Sequence, residues 1–123
     1  MNVLHHLDDP VDAIGEAHRV PAPGGVFVTA SPSRLDSPEP AHVWRPEPSS
    51  FDAEDAPRLV AEVFGRAETE RWDAPLITLP DERAVRDYLI GRCVPSEAAS
   101  AAATRVRTPI TVTEKGAFVH GYR

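Results

Sequence analysis

Among the 123 residues there is one cysteine, one methionine and a single lysine, Lys115. A lone Cys93 excludes an internal disulfide and any multi-cysteine zinc site, and it suits a reducing compartment. No stretch approaches the roughly 20 consecutive apolar residues of a membrane-spanning helix, so no membrane span is expected. The start, Met1-Asn2-Val3-Leu4-His5-His6, has neither the basic residues nor the apolar run of a secretory signal, and a cytoplasmic location follows as the expectation. Positive charge is also scarce. Thirteen Lys and Arg stand against 19 Asp and Glu, a net charge of −6, and the basic residues fall singly between acids instead of forming a stripe. Nucleic acid is therefore not expected as a partner.

What is present reads as one small domain, with 41% hydrophobic and 26% charged residues. Asp9, with Pro10 after it and Asp12 at the third position, opens a helix, because the aspartate accepts from otherwise unpaired amides and suits the positive end of the dipole. Val11, Ile14 and Ala17 give that helix an apolar face, and Pro21 should stop it near Arg19 or Val20. Gly24-Gly25 after Pro23 forms a turn. Val26 to Ala30 then reads as a strand buried on both faces, as parallel strands are. Residues 31–50, with Pro32, Pro38, Pro40, Pro46 and Pro48, are expected to be an irregular, extended loop.

Ala56, Leu59, Val60, Val63 and Phe64 recur at helical spacing, and Gly65 sits where a terminator belongs. Ala67 to Trp72 alternates weakly as a strand. Asp81 should cap a helix that places Val85, Tyr88 and Leu89 on one face and ends at Gly91, with Glu82 and Arg86, and Arg83 and Asp87, four apart on its wet side. Residues 96–105 are alanine-rich and helical by propensity, with little bulk to anchor them. Residues 110–113 and 118–122 read as two extended runs joined by a tight turn at Glu114-Lys115-Gly116. The alternation of strands and helices gives an α/β class.

The chemistry-bearing residues gather near the start. His5 and His6 display imidazoles on a polar loop, where a histidine near neutrality suits general-base work. The same pair also serves to hydrogen-bond loop backbone and hold a turn. His5, His6, Asp8 and Asp9 offer metal-ligand types, but adjacent histidines on an extended loop diverge and Asp9 is needed as a cap, so no metal is assigned. An acyl-transfer H-H-x-x-x-D-G motif fails because Pro10 and Val11 stand where Asp and Gly are required. Gly24-Gly25 lacks the spacing and the strand-then-helix order of a dinucleotide loop.

The stretch Asn2-Val3-Leu4-His5-His6-Leu7-Asp8-Asp9-Pro10, followed by Glu16 to Val20 and by Pro23-Gly24-Gly25-Val26-Phe27-Val28, resembles the second half of a class I S-adenosylmethionine-dependent methyltransferase. The closing Thr111 to Val119 segment resembles that family's terminal strand. The resemblance implies the C-terminal half of a doubly wound, Rossmann-like sheet, here a single partial domain over residues 1–123 with a helical cap-like segment at 81–105. It implies S-adenosyl-L-methionine as methyl donor and a small-molecule acceptor. Asn2, Leu4 and His5 would border the donor pocket, His6 would orient or deprotonate the acceptor, and Trp44 and Tyr88 would line the acceptor's side, although such aromatic residues equally serve as core. The family's Gly-x-Gly donor loop does not occur in these residues. A further chain supplying the N-terminal half is one expectation, and a non-catalytic remnant that binds a partner through an open sheet edge is the other.

Overall fold

The structure is a computed structural model that describes residues 4–20 and 22–123. After a short 3-10 turn at Leu4–His6 come α1 (Pro10–Arg19), β1 (Val26–Pro32), α2 (Ala56–Phe64), β2 (Ala67–Leu79), α3 (Glu82–Gly91), α4 (Ser96–Ala103) and β3 (Ile110–Tyr122). The class is mixed α/β, with one three-stranded sheet in the order β1-β3-β2. No helix among the described residues is long and apolar enough to cross a membrane.

Local chemistry accounts for the helix ends. The Asp9 carboxylate accepts from the Asp12 amide at 3.0 Å, with Pro10 in the first turn, and α1 stops at Arg19 as expected. Asp81 accepts from the Ala84 amide at 2.8 Å and opens α3 in the same way. Gly65, at φ +82°, adopts the left-handed conformation that closes α2 and donates to the Ala61 carbonyl. α3 ends at Gly91 as expected, but Gly91 is its last helical residue and not a left-handed terminator: Arg92 is the cap, and the left-handed residue is Cys93 at φ +67°.

The strands depart further from expectation. β1 pairs antiparallel with β3, from Val26 opposite Tyr122 to Pro32 opposite Gly116. It buries Phe27, Thr29 and Ser31 on one face while Val26 stays half exposed, the one-sided pattern of an antiparallel strand and not the two-sided burial first expected. Between β2 and β3, Tyr122 bonds Glu68, His120 lies beside Glu70 and Phe118 lies against Trp72. These partners step in opposite directions along the two strands, so that pair is antiparallel as well. It follows that β1 and β2 run parallel to each other, flank β3, and are connected through the Pro-rich loop and α2.

No turn interrupts residues 110–122. Gly116 lies inside β3, where the Trp72 ring and the Ser31 carbonyl close over its α-carbon. A β-carbon built there would sit 2.6 Å from that carbonyl oxygen. A glycine within a strand marks such a close approach, which is why a turn signal in sequence becomes straight strand here.

The chain divides into two compact units, residues 1–34, 48–72 and 115–123 in unit 1 and residues 35–47 and 73–114 in unit 2. In unit 1, Leu4, Ile14, Phe51, Leu59 and Val60 pack with Phe27, Ala117 and Val119 of the sheet. Gly121 admits the Phe64 ring onto the sheet surface, where it stacks on Phe27 at 5.3 Å. In unit 2, Val85 and Leu89 of α3 pack with Ala99 and Ala103 of α4 and with Leu79, Val106 and Val112. The alanine-rich helix, expected to be weakly anchored, is held by small buried residues that let α3 approach closely.

Candidate functional site

The opening motif lies in unit 1. The Leu7 amide donates to the Leu4 carbonyl at 3.2 Å and closes the 3-10 turn, and the Ser50 hydroxyl donates to the Leu7 carbonyl at 2.6 Å. Leu4 is fully buried in the unit 1 core, which makes it the anchor under the turn. His6 is exposed. Asn2 lies outside the described residues, as does the side chain of His5. Asp9 caps α1, the role assigned to it in place of metal binding. Among the described residues no three His, Cys, Asp or Glu side chains converge as metal ligands would.

The Pro-rich loop and α3 build the second candidate region, in unit 2. Trp44 and Tyr88 meet edge to face with ring centroids 6.4 Å apart, so the two aromatic residues singled out from sequence are neighbours. Both pack against the unit 2 core. Around Tyr88 the structure assembles a polar cluster. The Tyr88 hydroxyl lies 2.7 Å from the Ser37 hydroxyl and donates to Glu114 at 3.4 Å. The Arg92 guanidinium covers the Tyr88 ring at 4.9 Å, a cation–π distance, and bonds Asp36 at 3.2 Å and Glu114 at 2.7 Å. Only 2% of the Asp36 side chain is exposed, so this ion pair is drawn well out of water.

Three further bonds hold the loop that carries Asp36 and Trp44. Glu39 accepts from both the amide and the hydroxyl of Thr113, and the His42 ring nitrogen meets the Arg105 carbonyl at 3.1 Å. Ser37, at φ +54°, turns the chain so that its hydroxyl reaches Tyr88. The Arg92–Tyr88 half of the cluster has a sequence signal, since residues four apart on a helix face each other. Asp36 and Glu114 have none, because they are brought in from segments remote along the chain.

Burial pushes the Tyr88 phenol above its ordinary range, only partly offset by the Ser37 hydrogen bond and the Arg92 charge. For Arg92, burial works against the charge, but Tyr88, Glu114 and Asp36 outweigh it and hold the guanidinium protonated. At neutral pH the cluster therefore presents a neutral phenol, a cation and two carboxylates that already have partners. That arrangement holds the Tyr88 ring and hydroxyl in one pose. No protein-family model matches the chain, and no curated protein matches it.

Proposed function

We propose that these residues form the acceptor-side, C-terminal part of an S-adenosylmethionine-dependent methyltransferase for a small molecule, working in the cytoplasm. The observation that carries the reading is the run from Asn2 to Val28, in which a histidine-bearing turn, a helix capped by Asp9 and a Pro-Gly-Gly turn lead directly into a sheet strand. The sheet supports it. β1 and β2 run in the same direction and are joined through α2, the crossover a doubly wound fold uses, with β3 reversed between them so that both ladders are antiparallel.

In this reading the sulfonium methyl passes in line to the acceptor, and the protein contributes alignment and exclusion of water. His6, exposed at the turn, is the group to orient or deprotonate the acceptor. By resemblance Asn2 and His5 would border the donor pocket, and Leu4, buried in the core, supports the turn. Within unit 2, Arg92 and Asp36 fix Tyr88 beside Trp44, which makes an aromatic surface of that unit's own. The donor's glycine loop comes from residues other than these, either upstream in the same reading frame or on a separate chain.

The test is to read the frame upstream of Met1, express the extended chain and titrate S-adenosylmethionine by calorimetry beside the 123 residues alone. The expected outcome is a strand with Gly-x-Gly upstream, micromolar binding by the longer chain and none by the shorter. An upstream frame without that loop, together with no donor binding by either chain, would overturn the enzyme reading. It would leave a non-catalytic module that meets a partner along a sheet edge.

A further inference from the structure

In unit 2 the α3–α4 pair encloses a groove of about 390 Å³, lined by Glu82, Arg83 and Arg86 from α3 and Ser100 and Ala103 from α4. Arg83 and Arg86 are three residues apart on one helix face, both exposed, and neither forms an ion pair or hydrogen bond among the described residues. Acids are within reach along the helix, since Glu82 precedes Arg86 by four residues and Asp87 follows Arg83 by four, the spacing at which such pairs form. Other arginines of the chain do pair, Arg92 with Asp36 and Glu114, Arg34 with Asp52 and Arg58 with Glu62. Both arginines thus border the concavity with their hydrogen-bond donors uncommitted, and positive charge exceeds negative in its lining. Ser100, half buried on the opposite wall, makes no hydrogen bond among the described residues and adds a hydroxyl donor. Ala103 is buried and too small to fill the floor.

We propose that this groove is an oxyanion-binding site for the phosphate or carboxylate of a small molecule. Arginine suits either group, because its planar fork matches two oxygens at once. Glu82 is the one acid in the lining, so the five lining residues together carry a single net positive charge. The proposal stands independently of the methyltransferase reading.

Inorganic phosphate and succinate, each titrated at constant ionic strength into the 123-residue protein, test it through amide chemical shifts. Saturable shifts confined to residues of α3 and α4 are expected, with affinity about tenfold weaker in Arg83→Gln and again in Arg86→Gln, one lost charge-assisted hydrogen bond each. Neither arginine supports the fold through a bond, so both variants should keep the parent spectrum elsewhere, and Ser100→Ala offers a third, uncharged probe. Saturation by phosphate alone assigns phosphate esters, and by succinate alone assigns carboxylates. Shifts that rise linearly with either anion, or that persist unchanged in the double variant, would overturn the site.

Discussion

Unit 1 is closed by bulk, with the side chains of Phe51, Leu4, Ile14 and Val60 wholly buried beneath a sheet. Unit 2 is closed by small residues and by ions. Ala99 and Ala103 let two helices meet, and the loop from residue 35 to residue 47 is tied down by Asp36, Ser37 and Glu39 bonding to Arg92, Tyr88 and Thr113. Apolar burial is non-directional and tolerates adjustment, whereas a buried hydrogen-bonded cluster holds only if each member is satisfied. The first region is thus suited to carrying a fold and the second to fixing the pose of particular side chains. Unit 1 has its own ionic feature in Arg34, which bonds Asp52 and Asp55, but half of that arginine side chain stays in water. Screening leaves such a pair little weight.

The comparison is tested most severely by Phe51→Ala. Removing a fully buried aromatic ring should cost about 3–5 kcal/mol, measured by denaturant unfolding, with amide protection falling first in α1, α2 and β1. If protection in α3 and α4 falls as early, the two regions do not differ as described. Next comes Arg92→Ala, which strands the buried Asp36 carboxylate and uncovers the Tyr88 ring. A loss of about 2–3 kcal/mol is expected, read in the same way, with the Pro-rich loop losing order and the unit 1 core keeping its protection.

The smallest effect is in alkali, where each unit contributes one of the chain's two tyrosines. Tyr122 holds its proton above the ordinary range because it donates to Glu68, and Tyr88 does so because of burial. A phenol with a raised folded-state pKa contributes stability that is intact below about pH 10, where the unfolded chain begins to ionise, and that is lost as pH rises through the folded value. Stability should therefore decline above that pH, less steeply in Tyr88→Phe. In an ultraviolet phenolate titration, Glu68→Gln should lower one of the two transitions and leave the other in place. Movement of both would mean that the two hydroxyls share an environment.

Much of this architecture is legible in the sequence wherever the cause is local. Asp9 and Asp81 accept from amides three residues ahead, and Gly65 relieves a left-handed turn, so the starts of α1 and α3 and the end of α2 can be read directly. Strand partners cannot, because pairing joins residues far apart in the chain. The Val26 strand looks two-sided by composition, yet β3 lies beside it in reverse and only Phe27, Thr29 and Ser31 turn inward. Gly116 reads as a turn until the Trp72 ring is seen to need its missing side chain. In the candidate site, Trp44 and Tyr88 are legible as amphipathic aromatics. Asp36 and Glu114 are single acids among many, distinguished only by being folded onto Arg92.

The exposed Cys93, held at positive φ just beyond α3, has a practical consequence. It is the chain's only thiol, so in air two copies have no other sulfur to couple through and would be tethered at that one corner. A fluorophore attached by maleimide would, for the same reason, report a single position beside the α3–α4 bend. A glycine there would relax the backbone at the expense of that handle.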